Sequence, residues 1–253
     1  MNGISTSLLA FATIFGGAFI GAYLRHHLPA EHLGESTKDV VRLGTGLLGT
    51  LSALVLGLLI ASAASSYDAQ STYVRRLTAN FILLDEILDQ YGPETRPARD
   101  LLRRSIKPLV DRIWNRSDAE EKSQGPFRAS AIAERVYAKI QELAPNDDTQ
   151  RALKTQALQT FTDLAQVRLE LFARAGSVIP TPFLAMLIFW LTIIFASFSL
   201  FTRLNATLLV IICIFAVSSS GAIYLILELS QPFGGVIQIP SSSLLNALEP
   251  LQP

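Results

Sequence analysis

Side chains that carry out chemistry or hold metals are scarce in this sequence. Among its 253 residues there is one cysteine, and there are only three histidines. One cysteine excludes an intrachain disulfide and a thiolate metal cluster. A Gly-rich phosphate loop, a G-x-S-x-G elbow and an H-E-x-x-H pair are also missing. These absences predict a protein that is not an enzyme and that needs no cofactor.

The three histidines lie close together, in the one segment where a metal site has to be weighed. His26, His27 and His32 lie near Glu31 and Glu35, and these residue types bind zinc or copper. Their spacing matches no metal motif, so we predict a solvated loop and no metal site.

Charge is also in short supply. Charged residues make up 17% of the chain, where a soluble domain has about 25%. The 21 basic and 21 acidic residues cancel, and a nucleic-acid binder needs a basic excess, so we predict no nucleic-acid partner. Most charges fall between Asp68 and Arg174, which leaves both ends of the chain apolar. This distribution is typical of membrane segments that flank one polar domain.

Four apolar runs are long enough to cross the hydrocarbon core of a lipid bilayer, which takes about 20 residues. The first lacks a Lys or Arg before it, which indicates a retained anchor rather than a cleaved signal peptide. The four predicted spans are residues 7–24, 43–64, 180–201 and 205–227.

The second span is predicted to continue as one helix beyond the membrane. No glycine or proline occurs from Leu58 to Tyr91, and apolar residues recur at alternating steps of three and four. Three further polar helices follow, and no strand-like alternation occurs. We therefore predict an all-α fold in which a helical bundle is inserted between the second and third transmembrane helices.

This organisation divides the chain into four parts. They are a first transmembrane hairpin (1–64), a helical bundle (65–178), a second transmembrane hairpin (179–229) and a C-terminal tail (230–253). Lys and Arg near the membrane ends are balanced between the two sides, so the positive-inside rule gives no orientation. The lack of disulfides favours a multi-pass protein of the cell inner membrane with its bundle and both termini in the cytoplasm.

The second span carries two candidate functional faces. Small residues that recur every four positions let another helix approach closely, either within one subunit or from copies of the chain around an axis. These small residues are Gly49, Ala53, Gly57 and Ala61. If copies surround an axis, the neighbouring face lines a lumen with Leu51, Leu54, Leu58, Ser62 and Ser65.

Charged residues lie just outside the spans. Asp68 is either a vestibule residue or an interfacial anchor beside Tyr67. Arg75 and Arg76 either attract anions, or point to lipid headgroups, or pair with Glu228. Glu228 itself, at the end of the fourth span, is either an interfacial acid with a basic partner or part of an ion path.

The segment LELSQPFGG, with Glu228, Pro232, Phe233 and Gly234, resembles the motif that follows the last membrane helix of bestrophins. The segments SYDAQ…VRRLTAN and PFGGVIQIPSSSLLNAL are similar to those of bacterial bestrophin-like membrane proteins. The resemblance implies a homo-oligomeric channel, a pentamer, that conducts small inorganic anions through a pore lined by the second span. Bestrophins place acids after Pro-Phe-Gly, whereas this tail has none before Glu249, so calcium control is not implied.

The sequence therefore leaves two functions from different classes. The first is an anion channel, with the lipid bilayer, other copies of the chain and small anions as its partners. The alternative is a non-conducting membrane scaffold or sensor whose bundle binds a partner. An open lumen lined by the second span would distinguish the channel from the scaffold.

Overall fold

The computed structural model describes residues 3–114, 131–174, 181–202 and 205–248. Within these ranges the chain contains α-helices and two short 3-10 helices, and no strand, which confirms the predicted all-α class. The predicted boundary between the bundle and the second hairpin, at 178/179, lies outside the described residues. The helices are α1 (Gly3–His27), α2 (Glu35–Tyr91), α3 (Arg96–Trp114), α4 (Ala131–Gln141), α5 (Asp148–Arg174), α6 (Thr181–Phe201), α7 (Ala206–Leu229) and α8 (Ser241–Leu248).

Helix α2 is continuous over 57 residues, which corresponds to about 85 Å at 1.5 Å per residue. It ends at Tyr91 and is followed by Gly92, whose φ of 132° lies in the region that favours glycine. The buried Thr95 then donates its hydroxyl to the carbonyl oxygens of Leu88 (2.5 Å) and Gly92 (2.7 Å). This bond satisfies carbonyls that the end of a helix leaves without a partner.

The first compact unit comprises Met1–Tyr67 and Val178–Gln231. Its core contains apolar residues from α1, α2, α6 and α7, among them Ile14, Leu59, Leu187 and Ile223. Helix α1 packs along both α6 and α7.

Helices α1 and α6 cross closely at glycine residues. A Cβ placed on Gly21 would lie 1.9 Å from the carbonyl oxygen of Ala196, and one on Gly17 would lie 2.6 Å from that of Thr192. The two backbones therefore meet through small residues spaced four apart on both helices, a common means of association between membrane helices.

The second compact unit comprises Asp68–Ser177 and Pro232–Pro253. Its core is built by the apolar stripes of the polar half of α2 and of α3, α4 and α5. Helix α8 completes the same core with Leu244 and Leu248, which are almost fully buried. The C-terminal segment is thus an integral part of this bundle.

Candidate functional site

The membrane part of α2 presents distinct faces within a single chain. Ser52, Leu59 and Ala63 are buried in the first unit, and their spacing of seven and four places them on one side of the helix. The residues that the sequence assigns to a pore face and to a packing face lie outside this buried side.

The five predicted pore-lining residues are all exposed in the single chain. Leu54 is 71% exposed and Leu58 is 66% exposed, and Leu51 is exposed to a smaller degree. Ser62 and Ser65, further along the helix, are also exposed. This side of α2 therefore meets lipid, a lumen or another copy of the chain rather than its own core.

Among the described residues, the predicted small-residue stripe makes no close contact with another helix. A Cβ placed on Gly49 or Gly57 would have no neighbour within 4 Å, and Ala53 and Ala61 are exposed. The close approach within one chain is made by Gly17 and Gly21 of α1, which the sequence analysis missed. The signal was available, because these glycines have the same four-residue spacing as the stripe in α2.

The polar residues that follow the span along α2 are exposed as well. Asp68, Arg75 and Arg76 are all at the surface, and Nη2 of Arg75 lies 3.4 Å from the Oγ1 of Thr72. In the described part of the chain, no ion pair joins either arginine to a carboxylate.

The carboxylate of Glu228 is 5% exposed and lies beside the first turn of α1. A Cβ placed on Gly3 would lie 3.6 Å from its Oε2 and 4.0 Å from Cε2 of Tyr224. The amino end of a helix carries a partial positive charge, so this position stabilises the carboxylate. The sequence offered a basic partner or an ion path for Glu228, and its position beside the first turn of α1 was not predicted.

The Pro-Phe-Gly segment forms a closed loop within the bundle. The amide of Ile239 donates to the carbonyl oxygen of Pro232 at 2.7 Å. The ring of Phe233 stands edge-on to the ring of Trp114 in α3, 5.4 Å between centroids, and the Trp114 indole N–H donates to the carbonyl oxygen of Ile239 at 2.7 Å. Trp114 thus holds both ends of the loop, a role that the sequence analysis did not foresee.

The glycines of this segment have different roles. Gly234 is exposed, and a Cβ there would meet nothing within 4 Å. Gly235 has a φ of 92°, which a residue with a side chain rarely adopts. The turn therefore requires glycine at 235 for its backbone angle.

The bundle also contains a buried charged cluster that the sequence analysis missed. Asp85 is 3% exposed and receives two hydrogen bonds from Arg99, Nε to Oδ1 at 3.1 Å and Nη2 to Oδ2 at 2.8 Å. Arg103 adds a third, to Oδ2 at 3.3 Å, and the exposed Asp89 also contacts Arg99. Burial opposes ionisation of Asp85, but the hydrogen bonds and charges of the two arginines outweigh it and lower its pKa.

The histidine-rich segment at the end of α1 shows no metal-like arrangement. Nδ1 of His27 lies 3.0 Å from the carbonyl oxygen of Tyr23. Across the described ranges, no three His, Cys, Asp or Glu side chains come together as metal ligands would.

The fold defines the class of this protein. Helices α1, α2, α6 and α7 are each long and apolar enough to cross a membrane. A helical bundle follows the second of these helices in the chain. These features define an all-helical membrane protein. A family model of the bestrophin-like domain matches residues 12–244, and the chain belongs to this bestrophin-like family, which confirms the resemblance seen in the sequence.

Solved structures have the same fold. A variant of a bacterial bestrophin homologue from Klebsiella pneumoniae superposes with a TM-score of 0.70 at 16% identity, over 99% of this chain and 97% of that one. The structure of this homologue phased with zinc gives a TM-score of 0.68 at 16% identity, over 99% of both chains. No curated protein matches the chain.

Proposed function

We propose that this protein is a homo-oligomeric channel for small inorganic anions, with a pore lined by the second transmembrane helix. The observation that carries the proposal is the exposed face of α2, where Leu54 and Leu58 have no partner in the core of their own chain. Membership of the bestrophin-like family supports it, since bestrophins are oligomeric anion channels.

The side chains of the proposed pore face suggest how an ion would be admitted. Rings of Leu51, Leu54 and Leu58 form an apolar constriction, and such constrictions gate by losing water rather than by charge. Ser62 and Ser65 follow with hydroxyl groups that stay in contact with a hydrated ion.

Selection of anions is assigned to the arginines beyond the span. Because Arg75 and Arg76 have no carboxylate partner among the described residues, their positive charges raise the local anion concentration. Asp68 reduces this potential in part. The effect weakens with salt, because screening at 0.15 M acts over about 8 Å.

Ion currents through the purified protein in planar bilayers test the proposal. We expect Leu58→Ser to raise conductance by wetting the constriction. The matched control is Leu9→Ser on α1, since Leu9 is also 66% exposed but is not on the proposed pore face. We expect Arg75→Glu combined with Arg76→Glu to shift the reversal potential toward the equilibrium potential of the cation. Unchanged currents in both, from a normally assembled oligomer, would rule out this pore.

The second candidate function is a non-conducting sensor in which the bundle binds a partner molecule. A cavity of about 430 Å³ inside the bundle favours it. A correctly assembled protein that passes no current under any anion gradient would favour the sensor over the channel.

The proposed location is the inner membrane of a bacterial cell, with the bundle and both termini in the cytoplasm. Protease treatment of intact spheroplasts should then leave the bundle uncut, and treatment of inverted vesicles should cleave it. The opposite pattern would reverse the orientation.

A further inference from the structure

The bundle contains a cavity of about 430 Å³ that is lined by α2, α3, α4 and α5 and is open to solvent on one side. Its size is within the usual range for sites that bind small molecules, about 300–1,000 Å³. The most buried lining residues are apolar and include Leu77, Phe81, Leu102 and Val136. The exposed members, Glu134, Tyr137 and Thr162, mark the side that is open to solvent.

The polar groups of the lining are unevenly satisfied. The hydroxyl of Ser105 donates to the carbonyl oxygen of Leu102 at 2.6 Å, and that of Thr162 donates to the carbonyl oxygen of Leu158 at 2.9 Å. Arg168 differs from both, because its Nε is buried and has no hydrogen-bond partner in the described part of the chain. A buried donor without a partner costs about 1–3 kcal/mol, and more when the group is charged.

The charge of Arg168 is likewise uncompensated. Among the described residues no ion pair joins it to Glu134 or to another carboxylate. Burial, and then the nearby charge of Arg112, lower the pKa of Arg168. Both causes disfavour the charged guanidinium, and an anion beside it would stabilise that charge.

We propose that this cavity binds a small amphipathic carboxylate, with its carboxylate on Arg168 and a flat apolar body in the space between the leucines and phenylalanines. The rings of Tyr137 and Phe161 both line the cavity and lie 5.5 Å apart, which suits an aromatic body that stacks on them. The site is independent of the proposed pore.

The test uses 2-naphthoate, with the neutral 2-naphthamide as a ligand of the same shape. Binding to the full-length protein in lipid nanodiscs is measured by titration calorimetry, with empty nanodiscs as the blank. We expect naphthoate to bind at least about tenfold more tightly, the effect of one hydrogen bond to a charged group. Equal affinities for the two ligands, or no binding of either, would overturn the proposal.

Two variants locate the site. Arg168→Gln should remove the preference for naphthoate and leave naphthamide binding unchanged, whereas the control Arg151→Gln, on the exposed surface of the same helix, should keep it. Ala165→Leu fills the cavity and should abolish the binding of both ligands, with the helical content checked by circular dichroism. A preference that survives Arg168→Gln would place the anion elsewhere and contradict the assignment.

Discussion

At the scale of single residues, the bundle buries a charged side chain that the helical pattern of the sequence does not reveal. Asp85 lies on α2 beyond its apolar segment, between Leu84 and Glu86, in a stretch that reads as one stripe of an amphipathic helix. In the structure its carboxylate is almost fully buried and is bound by Arg99 and Arg103 of α3. Either partner alone would be costly here, because its charge would stay buried without a counter-charge.

Asp85→Asn keeps the size of the side chain and removes its charge. We expect a loss of about 3 kcal/mol in the free energy of unfolding, because two largely buried guanidinium groups lose their counter-charge. The control is Asp89→Asn, since Asp89 is 66% exposed and also contacts Arg99. Exposed ion pairs contribute about 0–1 kcal/mol. Denaturant titration followed by circular dichroism measures both, and equal losses would contradict the role of Asp85.

The same carboxylate predicts a pH dependence. Its pKa is lowered in the folded protein, so its stabilising effect is fully present above the ordinary carboxyl pKa of about 3.9. The effect is lost as the pH falls through the lower, folded value. The difference in stability between the native protein and Asp85→Asn should therefore be constant above about pH 5 and shrink below about pH 4.

At the scale of helices, the contact between α1 and α6 depends on the absence of side chains. The glycine pair in α1 and the small residues of α6 bring two backbones into contact, and no movement of a side chain can make room there. A larger side chain at this contact would push the two backbones apart, whereas a glycine with open space around it accepts one without a clash.

Gly21→Val should therefore destabilise the first unit by roughly 1–3 kcal/mol or more, because the two helices must separate. Gly16→Val is the matched control, since a Cβ at Gly16 meets nothing within 4 Å and valine has the same helix propensity at both positions. Thermal unfolding in detergent compares them. Similar midpoints for both variants would show that the crossing is looser than described.

At the scale of the whole molecule, the small-residue stripe on α2 has open space beside it, whereas the glycine pair on α1 contacts α6. A Cβ at Gly57 would meet nothing within 4 Å in the described part of the chain, so the proposed oligomer assigns its contact to another copy. Gly57→Leu should then leave the folded chain intact and break the oligomer. Gly221→Leu on α7 is the control, because a Cβ at that glycine also meets nothing within 4 Å. The mass of the oligomer in detergent distinguishes the two variants. An unchanged oligomer for Gly57→Leu would show that the stripe is not part of the interface.

Much of the architecture follows from sequence patterns that have a single physical interpretation. Apolar runs of bilayer length and the uninterrupted stretch from Leu58 to Tyr91 predict the membrane helices and the long α2, which the structure contains. Contacts between distant residues were not predictable in the same way. The partners of Glu228 and Asp85, and the contact of Trp114 with the tail, depend on which helices become neighbours, and periodicity along one helix holds no information on that.

The contact between Gly21 and Ala196 can form only late in the synthesis of the chain. The two residues are 196 − 21 = 175 positions apart, so a ribosome that adds about 5–20 residues per second takes roughly 9–35 s to pass from one to the other. For that interval α1 lacks its backbone partner, and the chain of the bundle is synthesised meanwhile. The open glycine surface of α1 is then available to any small-residue helix nearby, including one from a second chain translated on the same message.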